Sequence, residues 1–265
     1  MPTVETLATH VFYEDRGTGP ALLLVHGHPF DHTMWQPQID RFSRTHRVIA
    51  PDLRGYGNTP LGAMTHSTDL GEFAEDLVEL LDELRIEDCV LAGLSMGGQI
   101  AMELYRRHPE RVRGLVLADT FPAAETEDGK KARNAMADRL LREGMHGYAD
   151  EVLDRMVAPY NTHAAPHVHR MMRATDPVAA AAALRGRAER PDYRETLAAA
   201  TVPALVVVGR DDTYTPVADA EEMHALLPDS TLVVVERAAH LPNLERTEEF
   251  DAALAAFLRS LVRPN

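Results

Sequence analysis

Gly93-Leu94-Ser95-Met96-Gly97 follows the apolar run Cys89-Val90-Leu91-Ala92 and precedes Gly98-Gln99-Ile100-Ala101-Met102-Glu103-Leu104, so a serine sits where a strand turns into a helix. This is the nucleophile-elbow pattern, in which glycines on both sides let the backbone reverse tightly around a residue held in a strained conformation. The helix behind the turn aims its free N–H groups and the positive end of its dipole at the same point. The serine hydroxyl is thereby exposed beside an anion-stabilising site. A short motif with few fixed positions recurs by chance, so the flanking chain decides its meaning.

Outward from that turn, short apolar, β-branched runs alternate with helical patterns. Residues 21–25, 47–50, 89–94, 112–118, 204–208 and 231–235 read as parallel strands buried on both faces. The spacing predicts helices over 35–43, 69–84, 96–108, 216–226 and 247–261. Within 69–84, Leu70, Phe73, Leu77, Leu80, Leu81 and Leu84 recur on one face, acids fill the others, and Asp69 with Glu72 has capping-box spacing. Such alternation indicates an α/β protein with a doubly wound, mostly parallel sheet. Residues 7–13 read as a further strand ahead of the turn-rich Asp15-Arg16-Gly17-Thr18-Gly19.

The alternation breaks over 121–200, a helical stretch rich in Ala, Arg and Met with no strand-like run. This stretch is expected to be a helical lid inserted into a core made of 1–120 and 201–265, leaving the carboxyl edge of the sheet where it can cover a site. The plainer alternative is a set of packing helices with no gating role. The run Ala179 to Ala183 within it favours helix.

Composition narrows the function classes. The 265 residues carry 41 acidic against 27 basic side chains, a formal charge of −14, which repels nucleic acid and anionic membrane surfaces. The N-terminal residues lack a basic start followed by an apolar stretch, and no apolar run approaches the ~20 residues of a membrane helix. A cytoplasmic protein with neither membrane nor nucleic-acid partners is expected. Cys89 is the only cysteine, which excludes an internal disulfide and, at the head of an apolar strand, suggests a buried thiol. The only lysines are the adjacent Lys130 and Lys131, which excludes a phosphate-binding-loop lysine and argues against a Ser-Lys dyad or a Schiff base.

A serine hydroxyl is a poor nucleophile near neutral pH and needs a base to take its proton and a third group to hold that base. After 204–208 comes Gly209-Arg210-Asp211-Asp212, and after 231–235 comes Ala238-Ala239-His240-Leu241-Pro242-Asn243. In a parallel sheet those loops share one edge with Ser95. The order Ser, Asp, His along the chain is the one described for α/β hydrolases.

His26-Gly27-His28-Pro29, Asp52-Leu53-Arg54-Gly55-Tyr56-Gly57, Gly93 to Gly98, Gly209-Arg210-Asp211-Asp212 and His240-Leu241-Pro242-Asn243-Leu244-Glu245 span most of the chain outside 121–200. In these segments the chain resembles the α/β-hydrolase-fold superfamily, and within it the small esterase, 3-oxoadipate enol-lactonase and cofactor-free haloperoxidase branch. The resemblance implies an α/β-hydrolase fold with Ser95 as nucleophile, His240 as general base and then acid, and Asp212 as the orienting carboxylate. Asp211 and Asp119 compete for the last role. The oxyanion donors it implies are the main-chain N–H groups of Met96 and of His28, where relatives often carry an aromatic residue.

Trp35, Phe121 and Leu241 each follow a sheet-edge loop and are expected to line an apolar acyl pocket. His26 reads as a buried turn residue. His163, His167 and His169 read as a solvated helical face, since no Cys or close Glu accompanies them to make a metal site. No metal or cofactor is expected. The implied reaction is hydrolysis of a carboxylic ester or lactone of a small to medium, partly apolar substrate through an acyl-enzyme. Enol-lactone opening, attack by peroxide in place of water, and binding without catalysis are the alternatives. Epoxide hydrolases and haloalkane dehalogenases are disfavoured, because a carboxylate would occupy the elbow where Ser95 stands. Monomer and homo-oligomer both stay open.

Overall fold

The computed structural model describes residues 3–5, 10–62 and 66–261. Its strands are β1 (Thr3–Glu5), β2 (His10–Arg16), β3 (Ala21–Val25), β4 (Arg47–Pro51), β5 (Cys89–Leu94), β6 (Val112–Ala118), β7 (Ala204–Gly209) and β8 (Ser230–Val235). They form one sheet in the order β1-β2-β4-β3-β5-β6-β7-β8, antiparallel at β1·β2 and β2·β4 and parallel elsewhere. Val25 pairs with Gly93, Leu94 with Ala118 and Gly209 with Val235, so the carboxyl ends of successive strands meet along one edge. The loop after each of these strands therefore opens onto the same rim.

Along β3, Leu23 and Val25 join one hydrophobic core while Leu22 and Leu24 join another on the opposite face. That is the period of two of a strand buried on both sides. Helices α2 (Leu70–Glu83), α3 (Met96–Arg107), α8 (Arg194–Ala198) and α9 (Val217–Leu226) bury residues in the first core. Helices α1 (Gln36–Phe42) and α11 (Thr247–Ser260) cover the second, together with the short α10 (Pro242–Glu245). The capping box before α2 forms: Asp69 accepts from Glu72 N–H, and Glu72 accepts from Asp69 N–H. Cys89 is buried, and burial pushes its thiol up to about 12, so it stays protonated.

Local differences from the sequence reading have local causes. The strand expected over 7–13 runs instead to Arg16, because Asp15 and Arg16 pair with Ile49 and Val48 of β4 before the glycine turn begins; its first residues, 7–9, lie outside the described residues. Trp35 closes a 3-10 turn (His32–Trp35) rather than opening α1, with Asp31 capping that turn.

Helices α4 (Glu127–Glu143), α5 (His146–Met156), α6 (Ala165–Ala174), α7 (Pro177–Ala188) and α8 all lie between β6 and β7. Ala137, Leu140, Ala180, Ala181 and Leu184 give α4 and α7 a small core of their own. Val152, Met156, Val168 and Met172 of α5 and α6 continue the second main core. The alanine run Ala179 to Ala183 is buried throughout, so beyond helix propensity it allows close approach. At Gly186 the approach is closest: a Cβ there would collide with the Thr68 carbonyl. Among the described residues no helix is long and apolar enough to cross a membrane.

Candidate active site

Ser95 has φ 56° and ψ −116°, a left-handed conformation that costs a non-glycine residue about 1–3 kcal/mol unless its surroundings hold it. They do. Its N–H donates to Ala118 O at 2.9 Å, and its carbonyl accepts from Gly98 N–H at 3.0 Å and from the Thr120 hydroxyl at 2.8 Å. A Cβ at Gly93 would collide with the Gly97 carbonyl, and one at Gly97 with the Val25 carbonyl, which explains both glycines of the motif. Met96 is the first residue of α3, where a main-chain N–H has no acceptor within its own helix.

The loops after β7 and β8 bring Asp212 to His240, with His240 Nδ1 2.7 Å from Asp212 Oδ2. Asp212 also accepts from Tyr214 N–H at 2.7 Å and from the Thr215 hydroxyl. Burial pushes the Asp212 carboxyl up, but the His240 ring and these hydrogen bonds outweigh it and leave the group below its ordinary value. Asp211 points elsewhere and meets the Tyr160 hydroxyl at the surface. Asp119 accepts from Gly209 N–H at 2.8 Å, and one oxygen each of Asp119 and Asp212 and a ring nitrogen of His240 lie within 4.8 Å of one another. Burial and the Asp212 charge push the Asp119 carboxyl well above its ordinary value, whereas Asp212, the closer partner of the imidazole, is held below its own.

Glu245 went unassigned in the sequence reading, and its place explains how His240 is held. Its buried carboxylate accepts from the N–H groups of Ala239 at 2.9 Å and Leu241 at 3.2 Å, which flank His240. It also accepts from Ala158 N–H at 2.8 Å and Asn161 Nδ2 at 2.7 Å, beyond the end of α5. The available signal was an acid five residues after the histidine within an otherwise apolar stretch.

Ser95 and His240 line one cavity of about 120 Å³, together with His28, Gln99, Phe121, Arg133, Tyr148, Arg187 and Tyr214. Phe121 lies on its wall, with the Arg190 guanidinium 4.6 Å from the centre of its ring. Trp35 and Leu241 do not line it, which corrects the pocket expected from sequence. Both are fully buried in the second core, Trp35 against Phe250 at 5.9 Å between ring centroids. The 3-10 turn directs Trp35 into the sheet–helix interface. Position after an edge loop does not determine on which side of the rim a side chain falls.

His26 is buried, accepting from Leu53 N–H at 2.9 Å through Nε2 and lying 2.9 Å from Gly27 O through Nδ1. It ties two edge turns together. The three histidines of the insertion find separate partners: His163 near the Leu244 carbonyl at 3.2 Å, His167 near the Thr33 carbonyl at 3.1 Å and His169 near Asp150 at 2.6 Å. Two of them thus dock the insertion on the core, a role beyond a solvated face. Asp31, His32 and Asp52 bring potential metal ligands within 4.8 Å of one another, but Asp52 already accepts from His32 N–H and Asn58 N–H, each at 2.8 Å, and shapes that turn.

A doubly wound sheet with a serine elbow after β5, a carboxylate after β7 and a histidine after β8, all on one edge, defines an α/β-hydrolase architecture. The profile of the Alpha/beta hydrolase family matches residues 22–253, and the chain belongs to that family. It is 29% identical to 3-oxoadipate enol-lactonase 1 of Acinetobacter baylyi, covering 91% of this chain and 90% of that one. To the pimeloyl-[acyl-carrier protein] methyl ester esterase of Aliivibrio salmonicida it is 30% identical, over 96% of this chain and 97% of that one. The structure of a thermophilic esterase from Thermogutta terrifontis, solved with malate bound, superposes with a TM-score of 0.95 at 34% identity, covering 98% and 99% of the two chains.

Proposed function

We propose that this protein is a serine hydrolase that cleaves small carboxylic esters or lactones through an acyl-enzyme. The observation that carries the reading is the 2.7 Å contact of His240 Nδ1 with Asp212, on the wall of the cavity onto which Ser95 also opens. With Nδ1 donating to Asp212, Nε2 of the neutral ring is free to accept. In this reading Ser95 Oγ attacks the ester carbonyl carbon while its proton passes to His240 Nε2, and the carbonyl oxygen becomes an oxyanion. The N–H groups of Met96 and His28 receive that charge; such donors are each worth about 2.7–4 kcal/mol of barrier. Collapse expels the alcohol, which takes the proton from His240 and leaves an ester on Ser95. Water, deprotonated by the same ring, attacks that ester, and the acid departs as Oγ regains its proton.

The relatives named as an enol-lactonase and methyl ester esterases favour an ester or lactone as the bond cleaved. The cavity of about 120 Å³ favours a small substrate, since sites for drug-sized ligands run to roughly 300–1,000 Å³. The insertion between β6 and β7 acts in this reading as a cap, because Tyr148, Met156 and Arg187 of its helices wall the cavity. Ser95→Ala tests the proposal on a short aryl ester. Turnover should fall by at least about 10³-fold, and survival at the parent rate would exclude covalent catalysis by Ser95.

A further inference from the structure

Among the described residues, Arg187 is a buried cation with no carboxylate paired to it. It stands on α7, is 7% exposed, and contributes to the wall of the cavity shared by Ser95 and His240. Its Nε donates to Gln99 Oε1 at 3.1 Å, and among the described residues no carboxylate forms an ion pair with it. The neighbouring arginines are placed differently: Arg133 and Arg190 both hold Glu125. Two guanidinium groups thus share that one carboxylate, which they pull down to about 2 against the opposing push of burial, and Arg187 has no part in it. On a chain of net charge −14 this is a local reversal of sign. Burying an unpaired charge costs several kcal/mol, and burial with Arg133 and Arg190 nearby pushes the Arg187 guanidinium well below its ordinary value.

Two further polar atoms belong to side chains of the same cavity and have no partner among the described residues, His28 Nε2 and Gln99 Nε2, on residues 4% and 1% exposed. Burial, and after it Arg187 and Arg133, push the His28 ring well below its usual range, so it is neutral. Its Nδ1 lies 2.7 Å from the Tyr56 hydroxyl. When Tyr56 donates there, the one ring proton of His28 is on Nε2. Guanidinium, amide and imidazole then offer only donors, the complement of a group that only accepts and carries negative charge.

We infer that Arg187, Gln99 and His28 form a carboxylate-binding subsite, and that the preferred substrate is an ester or lactone bearing a carboxylate a short chain away from its reacting carbonyl. The second half of the inference rests on the hydrolase reading above; the subsite itself does not. A cavity of about 120 Å³ keeps the chain between the two groups short. The Arg187 charge holds the carboxylate in both ground and transition states, so it acts mainly on KM.

Two measurements separate the claims. The first titrates succinate, its neutral diamide and inorganic phosphate calorimetrically into the Ser95→Ala protein, which lacks the proposed nucleophile. Succinate should bind at least about tenfold more tightly than the diamide, a difference of about 1.4 kcal/mol. Arg187→Met should erase that preference and Arg187→Lys should retain part of it. The second compares monomethyl succinate with methyl butyrate on the unaltered protein, so no variant has to fold; the charged ester should lead in kcat/KM by about tenfold, through KM. Equal binding of succinate and diamide, or a preference for phosphate over succinate, overturns the carboxylate subsite. Hydrolysis of both methyl esters at equal kcat/KM overturns it too and leaves the hydrolase reading intact. Succinate binding without hydrolysis of either ester does the reverse.

Discussion

The sheet edge and the helical insertion meet at one cavity but are built on opposite principles. At the edge, the groups that hold Ser95 and His240 are densely bonded: the Ser95 carbonyl takes two donors besides the helix bond, Asp212 takes three, and Glu245 fixes the main chain on both sides of His240. Dense hydrogen bonding rigidifies, and rigidity is what a strained serine and a correctly oriented imidazole need. On the insertion side, among the described residues, no carboxylate pairs with Arg187, and its contact Gln99, on α3 of the core, has an amide nitrogen without a partner. A group left unsatisfied in a buried place is a cost unless a ligand completes it. In the proposed reading, bond-making falls to the edge loops, and choice of substrate to Arg187 of the insertion together with Gln99 and His28 of the core.

The sharpest way to break that division is at the carboxylates. Asp212→Asn should lower kcat by about 10²–10⁴-fold, because the amide supports the wrong imidazole tautomer. Asp119→Asn leaves the 2.7 Å contact of His240 with Asp212 in place and should cost less than about tenfold. Steady-state kinetics on the two variants decides; equal losses would mean that the acid is shared between the two aspartates.

Smaller effects sharpen the comparison from the side of packing. Gly186→Ala forces a methyl group against the Thr68 carbonyl where α7 rests on the core, and should destabilise by about 1–3 kcal/mol. Gly147→Ala, in α5, meets nothing within 4 Å and should stabilise by up to about 1 kcal/mol through helix propensity. Urea unfolding of both variants tests whether the insertion is stiffened at its seam with the core rather than along its helices. Opposite signs are expected, and a neutral Gly186→Ala would show the seam to be loose.

Much of the core was legible in the sequence because it repeats physical rules. Strands buried on both faces are apolar runs, the helices over them carry apolar stripes, and a tight turn at Ser95 requires glycine where main chains nearly touch. The choice of Asp212 over Asp211 followed from likeness to relatives, and the coordinates give its physical basis in the direction of two adjacent side chains. The insertion was legible only as helix. Its α7 is apolar nearly all round because it is wedged between α4 and the core, so no stripe tells which face meets the cavity. Nothing in the sequence around Arg187 distinguishes it from a surface arginine. Trp35 and Leu241 were misplaced for a related reason: proximity along the chain to an edge loop fixes neither depth nor direction.

The central claim is that Ser95 becomes the covalent carrier of the acyl group. Intact-mass analysis after brief reaction with a fluorophosphonate, followed by peptide mapping, tests it most directly. One adduct per chain is expected, on the peptide that contains Ser95, and it should disappear in Ser95→Ala. Absence of any adduct on folded protein at neutral pH, or an adduct elsewhere that survives the substitution, would contradict the account.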